Sequence, residues 1–471
     1  DPLVVNVTAI QNDGSTPDVF SAASSKTSVV SVSVDGNAVT LTPKAQGTAD
    51  IVFTAVSDPS VQRIISATIE PAWIMPTTHY GSVSGVVTPD LGATDQYIDD
   101  KFTITFDEAP TGLGTTGEVR IFNSNGDLVD RIKASGETNE FGLSADDKTR
   151  VLNHEGLTLD GNTLTIQPHS GVIDYNETYT ITIGDNVVLG AKLNGIDFNG
   201  LGDNASWQIS TKGQGPDASA TSITVDDDGD ADFRSVQGAL TWVMRNTTQD
   251  AAITVNVKNG TYNELLYLRN KNNLSIVGES RDGVNIAAEN YEGANTGSGK
   301  GNAKGTRPSG GRSLFLVEGG DLLTLQNLTI TNTHVRTGSG DQAETIYFNS
   351  KTGRLIARDA NFISEQDTLL TKGYNWFYNT KIAGNVDFIW GYSVATVFEN
   401  SQIDTLGDSK VVAKGETTSS GGYVLQARTE NESDPGFVFL NSELTHEAGP
   451  LGVTVEAGST YLARSGGDSE V

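Results

Sequence analysis

The sequence predicts an all-β chain: two small β-sandwich modules followed by a right-handed parallel β-helix. Three observations carry that prediction. In the N-terminal part, short segments alternate apolar and polar residues with a period of two and are broken by Gly- and Asn-containing turns. In the C-terminal part, the strand-like segments NLTI, ANFI, NTKI, NSQI and NSEL end at Ile330, Ile363, Ile382, Ile403 and Leu444, at successive spacings of 33, 19, 21 and 41. These intervals fit one coil of about 20 residues, one coil with an insertion, or two coils, which is the signature of a solenoid. Third, only one stretch of the chain carries helical spacing. A large irregular sandwich is the competing architecture, and the recurring interval argues against it.

Residues 1–75 form the first module. Val30, Val32 and Val34 alternate, Asp35-Gly36-Asn37 turns the chain, and Val39 and Leu41 resume the period, while Ile51, Phe53 and Ala55 mark one face of a further strand. Residues 76–213 form the second module. There Phe102, Ile104 and Phe106 alternate, Asn125-Gly126 is a hairpin signal, and GNTLTIQP, ETYTITIG and WQIST add strands. Residues 214–221 read as a linker and 222–471 as the β-helix. Its one helix falls in DFRSVQGALTWVMRN, where Val236, Leu240 and Val243 share a face. The stretch SVVSVSVDGNAVTLTPKAQGTADIVFTA resembles bacterial immunoglobulin-like modules, and the second block is similar to such a domain as well.

With 31 basic and 59 acidic side chains among 471 residues, the formal net charge is −28. That balance excludes nucleic acid as a partner, because phosphate binding needs clustered Lys and Arg. No run approaches the roughly 20 apolar residues that span a bilayer. The absence of cysteine excludes disulfides, thiolate catalysis and thiolate-bound metals. The opening DPLVVNV lacks the basic start, apolar core and cleavage site of an export signal, so such a signal is expected to be absent or already removed.

Within SEQDTLLTKGYNWFYNTKIAGNVDFIWG, Asp367 and Asp387 lie 20 positions apart. Residues one coil apart in a parallel β-helix stack at the inter-strand spacing of roughly 4.8 Å. Gln366 adjoins the first aspartate, and Gln342, in GDQAETIYF, lies 24 positions before Gln366, a plausible further coil. Stacked carboxylates repel, so their pKa values separate and leave one ionised beside one that holds a proton: a nucleophile or base next to a general acid. Glutamine amides can meet a developing oxyanion. A ladder that merely satisfies backbone groups in the solenoid turns fits the spacing as well.

The segments DADFRSVQGAL, KNGTYNELLYL, NLSIVGES, GDQAE, SEQDTL and GNVDFIWG follow the order and spacing of the pectin methylesterase family, which the chain resembles from about Ile223 to Gly391 and more loosely to YLARS. The resemblance implies a pectin-lyase-like right-handed parallel β-helix that hydrolyses galacturonate methyl esters in pectin and releases methanol, without a metal or organic cofactor. It implies Asp387 as nucleophile, Asp367 as general acid and then base, and Gln366 and Gln342 as oxyanion donors. Arg464, in YLARSGG, takes the position of the arginine that holds the nucleophile ionised and oriented.

Three departures concern the sugar groove. LGRPW becomes LARSG, with Gly466 where a tryptophan is expected; Leu370 stands where an aromatic follows QDTL; and Trp390 replaces phenylalanine in DFIFG. Trp390 and Trp376 are the aromatics expected to restore a stacking surface. The family continues beyond the counterpart of Val471, so the β-helix is expected to lack its C-terminal coils. The segment Gly293–Val317 carries Lys300, Lys304, Arg307 and Arg312 and no Asp or Glu. Lys300 and Arg307 are expected to draw free galacturonate carboxylates to the groove.

A serine triad finds no support, since none of the five histidines falls between Gln342 and Gly391. VDDDGDADF lacks the ligand pattern and terminal glutamate of an EF-hand loop. The expected protein is a secreted or cell-surface bacterial pectinesterase, monomeric, with pectin as its partner and no membrane span. An esterase or thioesterase for another acyl substrate, or a non-catalytic polysaccharide-binding protein, are the alternatives.

Overall fold

The alternation of the first strands resolves into facing antiparallel sheets. The structure, a computed structural model, describes residues 2–11, 14–69, 73–142, 149–298, 311–338 and 340–465. The chain divides into two units, Asp1–Ile74 and Met75–Val471. In the first, Leu3–Asn6, Ala38–Pro43 and Val30–Asp35 form one three-stranded sheet, and Phe20–Ser24, Gly47–Ala55 and Gln62–Ile69 form another. Both turn their apolar residues to one core, built on Phe20, Val30, Val39, Leu41, Ile51 and Phe53. The hairpin at Asp35-Gly36-Asn37 pairs Val34 with Val39, as the alternation predicts.

The second unit begins with a two-sheet sandwich. Its five-stranded sheet includes Glu118–Phe122, Leu128–Lys133 and Thr178–Ile183, and its four-stranded sheet includes Phe102–Thr105 and Thr163–Ile166. Ile104, Ile121, Leu164, Ile181 and Trp207 fill the space between them, and the buried Trp207 indole donates to the Pro89 carbonyl at 2.9 Å. The Asn125-Gly126 turn joins Glu118–Phe122 to Leu128–Lys133, as predicted.

After Ser222 the strands wind into a solenoid of parallel sheets. Each full coil lays strand backbone on three faces. Leu369–Tyr378 and Ile389–Glu399 span two faces within one strand: Leu369 pairs with Ile346 on the first, and Trp376 with Ile356 on the second. The corner falls at Gly373, whose φ is 67° and whose missing Cβ would collide with the Gly353 carbonyl, so no other residue fits.

Between the second and third faces, five coils turn on a left-handed residue: Asn327, Asp359, Asn379, Asn400 and Asn441. Asn and Asp tolerate this conformation better than other side-chain-bearing residues. Counting from it sets the register. Three positions on, Ile330 pairs with Phe362, Phe362 with Ile382, Ile382 with Ile403 and Ile403 with Leu444. The sequence alignment had placed Ile363 in that rank. It is one residue off, because ANFI was aligned on its last apolar residue while the coil counts from Asp359. Core residues then stack coil on coil, with ring centroids of Phe377 and Phe398 4.9 Å apart and those of Phe398 and Phe439 5.0 Å apart.

The helix forms over Val236–Asn246 and covers the first coil, burying Val236, Leu240 and Val243 as their spacing predicts. Ser235 caps it, its Oγ accepting from Gly238 N–H at 3.0 Å. Among the described residues no helix is long and apolar enough to cross a membrane.

Candidate active site

Where the third face passes to the first, the coil is 20 residues long without insertion: Phe362 pairs with Ile382 before the corner, and Leu369 with Ile389 after it. Asp367 and Asp387 therefore hold the same place in adjacent coils. The Asp367 N–H donates to the Val386 carbonyl at 3.1 Å, and Gln366 bridges to Val386. Both aspartates are left-handed, with φ of 62° and 49°, and each is only 7% exposed. Gly391 ends the second motif where a Cβ would strike the Thr371 backbone.

Two equivalent carboxylates meet unequal surroundings. Asp387 receives the fork of Arg464: Nε donates to Oδ1 at 2.8 Å and Nη2 to Oδ2. Gln426 Nε2 adds a third donor to Oδ2 at 3.2 Å. Gln426 and Arg464 are register partners on the first face, and Trp390 pairs with Gln426 in turn, so three successive coils build this side. Burial first, then the charges of Glu344 and Asp387, push the Asp367 carboxyl well above the ordinary aspartate range; Arg312 and Gln366 oppose this in part.

Arg312 is the cation on the other side. Its Nη2 donates to Asp367 Oδ2 at 3.2 Å, its Nε to both oxygens of Glu344 at 3.0 and 3.1 Å, and its Nη1 to Glu292 at 2.9 Å. Glu344 is fully buried, and the pairing of Ile346 with Leu369 sets it one coil before Asp367. Glu344, Asp367 and Asp387 thus form a ladder of three carboxylates, one per coil. Burial also raises the Glu344 carboxyl, against the pull of Arg312.

The two glutamines flank this ladder. The Gln366 backbone carbonyl accepts from Ala343 N–H at 3.2 Å, next to Gln342. The Gln342 Oε1 is buried and makes no hydrogen bond among the described residues. Trp390, 6% exposed, packs with Tyr267, Leu316, Tyr347 and Leu370. The guanidinium carbons of Arg428 and Arg312 lie 5.1 and 5.8 Å from its ring centre. Trp376 is not brought to this corner. It stands on the second face between Ile356 and Val397, 41% exposed, with its indole donating to Glu399 at 3.0 Å. Lys300 and Arg307 lie outside the described residues.

The family profile described as pectinesterase matches residues 222–466, just over half of the chain of 471. The chain belongs to the pectinesterase family. A profile described as a bacterial Ig-like domain matches residues 82–211. Relatives of the pectinesterase part include Probable pectinesterase A of Aspergillus flavus, 30% identical over 193 residues, 40% of this chain and 54% of the relative. Pectinesterase A of Dickeya dadantii is 29% identical over 229 residues, 46% of this chain and 58% of the relative. The chain thus spans little more than half the length of these relatives. Among solved structures, a pectin methylesterase from Erwinia chrysanthemi aligns at 27% identity and a TM-score of 0.41, over 52% of this chain and 70% of that one. One from Yersinia enterocolitica aligns at 29% and 0.39, over 50% and 70%.

In this member of the pectinesterase family, sequence reasoning missed Glu344, Gln426 and Arg428, and it read Arg312 only as part of a basic loop. The signal for Glu344 was present two residues after Gln342. Gln426 pairs with Trp390 across an offset of 36 residues, and no count of 20 reaches it.

Proposed function

We propose that the chain hydrolyses methyl esters of galacturonate units in pectin, with Asp387 as nucleophile and Asp367 as general acid and then base. The observation that carries this reading is the unequal setting of the two aspartates, one gripped by Arg464 and one driven to keep its proton. An Asp387 oxygen attacks the ester carbonyl carbon, and the carbonyl oxygen takes the negative charge. Amide N–H groups of Gln366 and Gln342 stabilise it. Collapse breaks the bond to methoxide, which takes the Asp367 proton and leaves as methanol, with the acyl group on Asp387 as a mixed anhydride. Asp367, now ionised, takes a proton from water as the water oxygen attacks the acyl carbon. Breaking the anhydride returns Asp387 as carboxylate and Asp367 as acid, and the galacturonic acid product ionises in solvent. Trp390 supplies an apolar wall for the sugar beside this corner.

The same reading makes the solenoid right-handed, in keeping with the handedness of parallel crossovers. It makes Asp1–Ile74 a further immunoglobulin-like module, supported by its two sheets around one core, and residues 214–221 the link from the second module to the enzyme. A monomer acting outside the cell suits a polymeric substrate. Full-length protein is incubated with highly methylated pectin while methanol and titratable acid are followed. Both rise in equal amounts if the reading holds. Faster turnover of acetyl esters or acyl thioesters, with no methanol from pectin, would replace it with an esterase of another acyl class.

A further inference from the structure

The hairpin Glu137–Phe141 and Arg150–His154 belongs to the sandwich that precedes the solenoid. It nonetheless reaches the segment that carries Arg312. Arg150 is fully buried, and its guanidinium donates to four carbonyls of the solenoid. Nη1 reaches Leu266 at 2.7 Å and Leu314 at 3.1 Å, and Nη2 reaches Gly311 at 3.1 Å and Ser313. The carbonyls on both sides of Arg312 are therefore pinned by one side chain from another module. Asn153 adds a second tie: its N–H donates to Asn295 Oδ1 at 2.8 Å, Asn295 donates to Asn290 at 2.8 Å, and Asn290 Nδ2 returns to Gly311 and Ser313 at 3.0 and 2.9 Å. Phe141, on the partner strand, packs on the cluster that holds Trp390.

We infer that this hairpin is a brace of the active site, with Arg150 acting as a positioning residue that fixes the backbone at Gly311–Leu314 and so holds the Arg312 guanidinium between Glu344 and Asp367. A guanidinium suits the task because it offers several donors in a rigid fork. Without it these carbonyls would lose their charged donor and keep only neutral ones, the Asn290 amide at Gly311 and Ser313 and the Leu266 N–H at Leu314, so the segment would be held less tightly. A displacement of about 1 Å at a catalytic group costs on the order of 100-fold in rate, so a small shift at Arg312 is read directly in turnover. The immunoglobulin-like module is in this account a working part of the enzyme and not only a spacer. The inference rests on the proposed function for its kinetic consequence, and on geometry alone for the brace.

The test uses the full chain and the variants Arg150→Met, Arg150→Lys, Arg312→Met and the double variant Arg150→Met/Arg312→Met. Hydrogen exchange is measured at Arg312 N–H and Leu314 N–H, which bond to Gly297 and Glu344. Both should exchange at least tenfold faster in Arg150→Met while the later coils stay protected, whether or not the chain releases methanol. Unchanged exchange there overturns the brace. In methanol release, Arg150→Met should lower kcat on the order of tenfold or more with KM within twofold, and Arg150→Lys should recover part of the loss. The decisive comparison is the cycle: with Arg312 removed, Arg150→Met should cost nothing further. A loss of the same factor in both backgrounds would show that Arg150 acts elsewhere and would overturn the inference. If Arg150→Met does not fold, Arg150→Lys carries the same cycle. A wild-type chain that releases no methanol rejects the proposed function, and the exchange result still decides the brace.

Discussion

Replacing Arg464 tests how Asp387, the proposed nucleophile, is held. The arginine makes two charge-assisted hydrogen bonds to Asp387, each worth roughly 1.5–3 kcal/mol. Its side chain is 43% exposed, so solvent screening favours the lower figure. Two such bonds come to about 3 kcal/mol, and at about 1.4 kcal/mol per decade Arg464→Met should lower kcat/KM on the order of 100-fold. Lysine keeps the charge but not the fork, and reaches one oxygen at a time. Arg464→Lys should therefore lose about half the energy, on the order of tenfold in rate. The assay is initial-rate methanol release from methylated pectin, with melting curves to confirm that each variant is folded. Gln426 still donates to Asp387 in both variants, so neither should fall to background. Activity of Arg464→Met within twofold of wild type would refute the claim that this pair orients the nucleophile.

The remaining predictions concern the carboxyl partner, the register and the aromatics. The Asp367 pKa is raised in the folded state, so the stability its protonated form contributes is present below the unfolded value of about 3.9 and is lost as pH rises towards the folded value. Asp367→Asn should melt higher than wild type at neutral pH, with the gap closing as pH falls to about 4; a gap independent of pH would contradict this. Phe362 is fully buried, and Phe362→Ala should cost about 3–5 kcal/mol by denaturant unfolding. Ile363→Ala, one residue away and half-buried, should cost less than half as much, and equal costs would mean the register is misplaced. Trp390→Ala should raise KM for pectin several times more than Trp376→Ala, because only Trp390 lies on the face beside Asp387. Equal effects would place Trp376 in the groove after all.

What was legible in the sequence follows from where the coil length is constant. Between Asp359 and Asn400 each coil has 20 or 21 residues, marked by a left-handed Asp or Asn and an inward apolar residue. The pairing of Asp367 with Asp387 could be counted there, and the structure places the two aspartates in register. Aligning ANFI on Ile363 failed by one position, because hydrophobicity alone does not distinguish an inward Phe362 from a half-buried Ile363. Outside that window the count breaks down. Glu344 sits 23 residues before Asp367, Gln426 sits 36 after Trp390, and Arg312 follows a long insertion. The role of Arg150 was hidden for another reason. In RVLNH it reads as one polar residue at the start of an ordinary strand, and only the docking of the sandwich on the solenoid gives its guanidinium four carbonyls to bind.

The account stands most directly on Asp387 as the attacking group beside a protonated Asp367. The measurement is methanol release from highly methylated pectin by wild type and by Asp387→Ala, with unfolding curves showing that both are folded. The account predicts steady release by wild type and a loss of at least about 1,000-fold in Asp387→Ala, since removing a nucleophile leaves only what binding and oxyanion donors supply. Release by folded Asp387→Ala within about tenfold of wild type would contradict it, because the ester would then be opened by another group.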